Sequence, residues 1–189
     1  MQAPSQRVTL PPLRFHGSPN KSLRLNGMVP YLVVVHRPVG GFAGAEATLT
    51  DPATQVSAHI LTDSNREAVQ LVPWHLKAWA CASFNSASYN IEVDDDAWSG
   101  HDRAGLETAA RIVAFICKRT GIPPTWTHLP THAPGVVRHY DLGLAGGGHT
   151  DPTTDAQVWR NFMLLVQQQY DRGGFRPSWG QGTFAQVNL

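Results

Sequence analysis

The chain has 189 residues, of which 42% are hydrophobic and 15% are charged, and its formal net charge is +1. This length supports one domain with a complete hydrophobic core, and this composition excludes an intrinsically disordered chain. The small net charge, with basic residues scattered along the sequence, argues against nucleic acid or an anionic membrane as a partner. The apolar runs are too short to span a membrane, and the first residues lack the apolar core of a secretory signal.

The first half of the chain predicts a leading segment followed by strands and a helix. Residues 1–26, rich in Pro, Ser, Asn and Gly beyond the first few positions, are expected to form an extended leading segment. Residues 31–35 (YLVVV) form a short run of β-forming residues, which is typical of a buried central strand. Residues 43–49 predict a short helix, and residues 56–61 and 68–72 predict two further strands.

The second half contains a strand of alternating polarity and two helices. Residues 88–93 alternate apolar and polar side chains, and this period of two predicts a strand with one polar face. Residues 103–120 carry apolar side chains at helical spacing, with Gly121 as the predicted C-cap. The last helix is expected to begin at Thr154, where residues 154–157 (TDAQ) fit a capping box.

Strands interleaved with helices predict a single α/β domain over residues 27–171, with a central mixed β-sheet flanked by helices. Residues 172–189 are rich in Gly, Pro and aromatic residues, so they are expected to form a tail or a linker. Cys81 and Cys117 are too few for a disulfide framework and do not form a C-x-x-C pair. They are expected to be small buried residues.

Histidine and carboxylate side chains stand where predicted strands end. His36 follows the first predicted strand, and His139 follows the short β-like run at residues 136–138. Asp151 comes after a glycine-rich loop, two residues beyond His149. In α/β sheets, functional groups collect at strand ends and in the loops beyond them. Two histidines and a carboxylate are the ligands of an open, catalytic zinc site whose fourth position is left to water.

Glu92 lies on the polar face of the strand predicted at residues 88–93. Its carboxylate is a candidate general base for a metal-bound water, because such a base must reach the proton that it removes. The alternative is an ordinary solvated carboxylate on the strand, and the residues alone leave both interpretations open.

Seven short motifs follow one another in a characteristic order: residues 33–36 (VVVH), 55–61 (QVSAHIL), 68–73 (AVQLVP), 78–79 (AW), 88–92 (SYNIE), 138–141 (RHYD) and 149–152 (HTDP). Their order resembles that of the zinc-dependent N-acetylmuramoyl-L-alanine amidases of the type 2 family, which share their fold with peptidoglycan recognition proteins. Residues 15–20 (FHGSPN) are also similar to the first segment of amidase domains in actinobacteriophage endolysins. The resemblance covers roughly residues 15–170.

The resemblance implies that His36, His139 and Asp151 bind one Zn²⁺ and that Glu92 assists deprotonation of the metal-bound water. His149 lies where the family often has a lysine, so the resemblance implies that it stabilises the oxyanion of the tetrahedral intermediate. In a rival assignment, His149 is the third ligand and Asp151 orients it. The Asp-Pro match favours Asp151 as the ligand.

The chain departs from the family pattern at several positions. Ala80 stands where histidine usually follows Ala-Trp, Asn90 replaces a common glycine, and His149 would make the oxyanion-stabilising charge depend on pH. His59 is expected to line the substrate pocket, with a simple strand histidine as the alternative. Trp79 is expected to be a second pocket residue.

The implied function is hydrolysis of the amide bond between N-acetylmuramic acid and the L-alanine of the stem peptide in bacterial peptidoglycan. The expected setting is a phage endolysin or its catalytic module, acting as a monomer. Such an enzyme is made in the host cytoplasm and reaches the cell wall by a route of its own. The alternatives are a non-catalytic peptidoglycan-binding module of the same fold and a zinc hydrolase of another amide. Non-catalytic relatives typically lose a zinc ligand, so the three competent residues favour the enzyme.

Overall fold

The computed structural model describes residues 8, 10–63, 67–99, 102–127 and 133–174. Within these residues the strands are β1 (Leu13–Phe15), β2 (Lys21–Leu23), β3 (Leu32–His36), β4 (Ile60–Thr62), β5 (Ala68–Gln70), β6 (Leu76–Ala78), β7 (Ser88–Val93) and β8 (Gly135–Arg138). The α-helices are α1 (Gly41–Thr50), α2 (Asp95–Trp98), α3 (Arg103–Thr120) and α4 (Ala156–Arg172). Short 3-10 helices occupy Leu25–Gly27, Ala82–Phe84 and His139–Gly146. Most of the predicted tail, residues 175–189, lies outside the described residues.

Six strands form a central mixed sheet in the order β1-β5-β4-β7-β3-β8. Every neighbouring pair in this sheet is parallel except β4 and β5, which are antiparallel. Strands β2 and β6 form a separate antiparallel pair. The predicted single α/β domain with a central mixed sheet flanked by helices is confirmed. Because β7, β3 and β8 are parallel neighbours, their carboxyl ends meet at one edge of the sheet.

Helices α3 and α4 cover one face of the sheet. The side chains in this layer are apolar and almost entirely buried: Val33, Val35, Ile91, Val93 and Val136 from the strands, and Ala109, Ile112, Val113, Ile116, Trp159 and Phe162 from the helices. Burial of each large side chain stabilises the fold by about 1.5–3 kcal/mol. Asp102 is the N-cap of helix α3, and its carboxylate accepts two backbone N–H groups; Gly121, whose φ is 76°, is the C-cap. The predicted helix over residues 103–120 and its glycine cap are confirmed.

The opposite face of the sheet is covered in two separate parts. Near β4 and β5, Leu49 of α1 and Leu61 belong to one small apolar cluster. Near β3 and β8, Leu142 from the 3-10 helix at His139–Gly146 joins Val34 in another cluster. Polar side chains at the carboxyl ends of β3 and β7 lie on this same face, because side chains alternate between faces along a strand.

Three local predictions differ from the observed elements. The N-cap of α4 is Asp155 and not Thr154, because the Asp155 carboxylate accepts two backbone N–H groups of the first turn. The strand predicted at residues 56–61 is reduced to β4, since the carbonyl of Val56 accepts a hydrogen bond from the Asn20 amide and lies outside the sheet. The leading segment contributes β1 and β2, which pair with β5 and β6.

Two expectations from composition concern the cysteines and the membrane. Cys81 and Cys117 are buried and free, which confirms the prediction of small core residues. Across the described parts of the chain, no helix combines the length and the hydropathy that crossing a membrane requires.

Candidate metal centre

Three side chains converge where the carboxyl ends of β3 and β8 meet. His36 is the last residue of β3, His139 follows β8 directly, and Asp151 lies in the loop before α4. His36 Nδ1 lies 3.0 Å from His139 Nδ1. The Asp151 carboxylate places Oδ1 3.2 Å from His139 Nδ1 and Oδ2 3.5 Å from His36 Nδ1. The structure therefore brings together the residues that the sequence predicts as ligands.

The outer nitrogen of each histidine ring is held by an acceptor. His36 Nε2 donates to Oδ1 of Asn90 at 3.0 Å, and His139 Nε2 donates to the carbonyl of Gly146 at 2.8 Å. Because these oxygens accept hydrogen bonds, each Nε2 carries the ring proton. The lone pair of each Nδ1 consequently faces the other ring and the Asp151 carboxylate.

This donor set fits a zinc ion. Tetrahedral zinc with bonds of about 2.0–2.1 Å to nitrogen or oxygen requires its ligand atoms to lie about 3.3 Å apart. The three observed separations between His36, His139 and Asp151 are 3.0, 3.2 and 3.5 Å. Imidazole and carboxylate are ligands that zinc accepts. Electron-pair donors held this close repel one another unless a metal ion or a shared proton lies between them.

The charge states of the converging groups suit a cation. Burial would by itself raise the pKa of Asp151, but its contacts with His139 and His36 outweigh burial and lower that pKa. Burial lowers the pKa of His36, despite the opposing contact with Asp151. An ionised carboxylate and a neutral imidazole are the forms that bind metal.

Main-chain groups hold Asp151 in place. The backbone N–H of Arg37, directly after His36, donates to Asp151 Oδ2 at 3.2 Å. The carbonyl of Asp151 accepts the N–H of Tyr140, the residue after His139, at 2.8 Å. Asp151 is thus hydrogen-bonded to the backbone of the residue that follows each histidine.

A buried ion pair ties the loop that carries Asp151 to β8. Arg138 and Asp141 are each about 5% exposed, and Nη2 of Arg138 lies 2.6 Å from Oδ1 of Asp141. Nη1 of Arg138 donates to the carbonyls of Thr153 and Thr154 at 3.3 and 3.4 Å. Because Arg138 precedes His139, one guanidinium orients both sides of the site.

Glu92 stands beside the converging donors. It pairs in register with His36 across β7 and β3, so both side chains lie on the same face of the sheet. Glu92 is half-buried, and its Oε2 is shielded from solvent without a hydrogen-bond partner among the described residues. Burial, with a smaller contribution from the charge of Asp151, raises the pKa of Glu92 to about 8. Glu92 is therefore not an ordinary solvated carboxylate, and it can gain or lose a proton near neutral pH.

His149 lies on the solvent side of the site. Its ring stacks on His139 with a centroid distance of 4.3 Å, and its side chain is 58% exposed. His149 Nδ1 lies 3.7 Å from Asp151 Oδ1. Among the described residues, the group with ligand atoms close enough to hold a metal contains Asp151 and does not contain His149.

The two predicted pocket residues occupy different environments. His59 is fully buried, stacked on Trp74 at 5.8 Å, and therefore does not line a substrate pocket as predicted. Its Nδ1 accepts the backbone N–H of Asn90, so the His59 ring is held against β7. Trp79 is half-buried, and its Nε1 donates to Ser22 of the leading segment at 2.9 Å. A contact between Trp79 and substrate stays a prediction.

More than half of the sequence matches a known family. The Amidase_2 family, N-acetylmuramoyl-L-alanine amidase, matches residues 26–154, which are more than half of the chain. The chain belongs to this family. Membership places the chain in the type 2 amidase group.

Individual proteins similar to this amidase-family chain include one curated relative. N-acetylmuramoyl-L-alanine amidase A of Achromobacter lyticus is 31% identical over 96 residues, which cover 48% of this chain and 52% of that protein. The chain thus spans about half the length of the curated relative that it matches.

Solved structures share the fold of this family member. The Staphylococcus aureus hydrolase AmiA, determined with its ligand, has a TM-score of 0.72 at 17% identity and covers 90% of this chain and 89% of its own. A mutant endolysin from Bacillus subtilis has a TM-score of 0.61 at 20% identity and covers 85% and 99%. At these identities the likeness shows the fold.

Two features of the site in this amidase-family chain were missed in the sequence. Asn90 holds His36, and the polar alternation that singled out Glu92 also places Asn90 on the same face. The buried pair of Arg138 and Asp141 could have been suspected from opposite charges three residues apart, but such pairs are usually exposed and weak.

Proposed function

We propose that this chain is a Zn²⁺-dependent amidase that hydrolyses the bond between N-acetylmuramic acid and the L-alanine of the stem peptide. The observation that carries the proposal is the convergence of His36, His139 and Asp151 donor atoms beside the half-buried carboxylate of Glu92. Membership in the amidase family supports the reaction class.

The chain's own residues divide the chemistry among them. His36, His139 and Asp151 would hold the metal, and bound Zn²⁺ supplies Lewis acidity toward a carbonyl and a water. Glu92 takes a proton from the attacking water, because its Oε2 has no competing partner among the described residues. The same carboxyl then returns the proton to the leaving amine. His149 donates a hydrogen bond to the oxygen that becomes negative in the tetrahedral intermediate.

The reaction is tested by digestion of purified peptidoglycan and mass spectrometry of the products. We expect new L-alanine amino termini, stem peptides released whole, and no new reducing sugar ends. The matched control is Glu92→Gln, which keeps the size of the side chain and removes its proton-accepting oxygen. New reducing ends alone would mean a glycosidase. Binding to peptidoglycan without any product would favour the non-catalytic binding module.

The third ligand is tested by metal content after dialysis. Asp151→Ala is expected to lose zinc, and His149→Ala is expected to keep it, because Asp151 contacts both Nδ1 atoms and His149 contacts the outer side of His139. The reverse result would support the rival assignment, in which His149 is the ligand and Asp151 orients it.

We further propose that the chain acts as a monomeric endolysin or its catalytic module, made in the cytoplasm of a host bacterium. The similarity of residues 15–20 to endolysin amidase domains supports this setting. Expression in a bacterial host should cause lysis when a membrane-permeabilising protein is co-expressed and not when the chain is expressed alone. Light scattering should give a mass near 20.7 kDa. Lysis without permeabilisation would contradict the endolysin setting, and a doubled mass would contradict the monomer.

A further inference from the structure

Asn90 lies at the centre of β7, fully buried, and each of its polar groups has a partner. Its Oδ1 accepts hydrogen bonds from His36 Nε2 at 3.0 Å and from Cys81 Sγ at 3.2 Å. Its Nδ2 donates to Ser88 Oγ at 3.0 Å. A buried amide whose oxygen and nitrogen each have a hydrogen-bond partner has one favourable orientation.

The neighbouring hydroxyl determines which end of the Asn90 amide faces His36. Ser88 Oγ donates its proton to the carbonyl of Phe84 at 2.9 Å, so its lone pair is left to accept the Asn90 N–H. The amide nitrogen therefore points to Ser88, and the amide oxygen points to His36. An acceptor at that place requires the ring proton of His36 to be on Nε2.

The main chain of Asn90 is fixed by His59, the residue just before β4. The backbone N–H of Asn90 donates to His59 Nδ1 at 3.0 Å, and the Asn90 carbonyl accepts the His59 N–H at 2.9 Å. His59 Nε2 donates to the carbonyl of Leu76 at 3.1 Å. Burial, and then the charge of Arg24, lower the pKa of His59 to about 3, so the ring stays neutral and keeps this arrangement.

We propose that Asn90 is a positioning residue of the metal site, which holds His36 as its Nε2–H tautomer with the Nδ1 lone pair aimed at His139 and Asp151. His139 obtains the same orientation from the main-chain carbonyl of Gly146. The orientation of one ligand is thus encoded in a side chain and that of the other in the backbone. The inference rests on the proposed metal site, but it does not depend on the identity of the bond that is cut.

The tautomer can be measured in the unsubstituted protein. In the zinc-free chain, ¹⁵N-labelled histidine spectra should show His36 protonated at Nε2, with slow exchange of that proton with water. His139 serves as the internal reference, because its Nε2 proton is held by Gly146 and not by Asn90. A predominant Nδ1–H form of His36 would overturn the proposal without any variant.

Zinc affinity separates positioning from general stability. In competition with a chromophoric chelator, Asn90→Leu should bind zinc about 10–100-fold more weakly, which is the usual effect of losing a partner behind a metal ligand. Asn90→Asp should stay within about threefold of the original affinity, because its carboxylate still accepts from His36 and the Ser88 hydroxyl can rotate to donate. The His36 Nε2–H signal should vanish in Asn90→Leu and persist in Asn90→Asp.

Asn20→Leu is the matched control, because Asn20 is also a buried amide but donates to the carbonyls of Asp51 and Val56, outside the site. It should destabilise the fold and leave zinc affinity unchanged.

Equal zinc affinity in Asn90→Leu and the original chain would refute the proposal. Equal losses of zinc affinity in Asn90→Leu and Asn90→Asp would also refute it. If Asn90→Leu does not fold, the tautomer and Asn90→Asp measurements decide. A negative digestion assay with these zinc effects intact would refute the amidase reaction alone.

Discussion

The two faces of the central sheet perform different tasks with alternate residues of the same strands. On the face covered by α3 and α4, Val35 and Ile91 are fully buried among apolar side chains. On the other face, His36, Asn90 and Glu92 carry the candidate site. The strand pairing that buries the first set also sets the spacing of the second. Substitutions on the two faces should therefore separate stability from chemistry.

The largest effect is expected on the polar face, from loss of a ligand. His139→Ala should abolish stoichiometric zinc binding and lower kcat by at least about 10³-fold, because a bound metal supplies several kcal/mol of charge stabilisation. Zinc content and product formation are the measurements. The control is Tyr140→Phe, a neighbouring ring whose hydroxyl has no place in the proposed site. Full activity in His139→Ala would remove the metal site from the mechanism.

The next effect concerns the proton carrier on the same face. Glu92→Gln should lower kcat by about 10²–10⁴-fold while zinc content stays at one per chain, because the amide cannot accept the proton from water. Product release from peptidoglycan and metal analysis measure the two quantities in one preparation. A variant with full activity would show that another group, or solvent, takes the proton.

The same substitution should stabilise the zinc-free protein at alkaline pH. Burial raises the pKa of Glu92 from 4.5 to about 8, so the unfolded chain binds fewer protons than the folded chain between these values. Stability of the original chain consequently falls as the pH rises through this range, and Glu92→Gln removes the loss. Chemical denaturation should show a gain on the order of 2 kcal/mol at pH 8.5, after discounting for partial exposure, and almost none near pH 4.5. A gain independent of pH would contradict this cause.

On the apolar face we expect a loss of stability that is comparable in size to this gain. Ile91→Ala should lower the free energy of unfolding by about 2–5 kcal/mol, because it leaves a cavity under α3. Its kcat per folded molecule should stay within about twofold, since Ile91 points away from its neighbours Asn90 and Glu92. Denaturation curves and assays below the melting temperature give the two values. A large fall in kcat of the folded fraction would mean that the faces are coupled.

Periodicity predicted the division between the faces but not the partners within them. The alternation at residues 88–93 and the helical spacing at residues 103–120 identified β7 and α3 with their observed bounds. These patterns are set by burial, which local sequence records well. Whether a polar side chain on the site face meets substrate, metal or another side chain depends on tertiary neighbours. For that reason the prediction of His59 as a pocket residue, which the resemblance suggests, is wrong, because packing against Trp74 buries its ring.

The cap of α4 shows the same limit at short range. Thr154 and Asp155 are both good N-caps, and the sequence pattern favoured the threonine because of the glutamine three residues later. In the structure the carbonyl of Thr154 accepts from Arg138, and the carboxylate of Asp155 caps the helix. A tertiary hydrogen bond, from Arg138 to the Thr154 carbonyl, thus distinguishes two locally acceptable N-caps.

The smallest effect on kcat is expected at His149, which lies in a loop and not on either face of the sheet. His149 is delivered by the loop after the glycine-rich segment, and its ring rests on the outer side of His139 at 4.3 Å. If it stabilises the oxyanion, His149→Lys should change kcat by less than about tenfold, because lysine also donates to a developing negative charge. His149→Ala should cost about 10–100-fold with zinc retained, somewhat less than a fully buried donor because the ring is 58% exposed.

The comparison between these two variants separates the possible roles of His149. A lysine cannot replace a neutral imidazole as a zinc ligand without first losing its proton, so loss of zinc in both variants would make His149 the third ligand. Equal activity in both variants and the original chain would leave His149 as a surface residue. We expect His149→Lys to keep activity and His149→Ala to lose part of it, with zinc bound in both variants. That pattern would identify His149, which the loop and not the sheet carries, as the hydrogen-bond donor to the oxyanion.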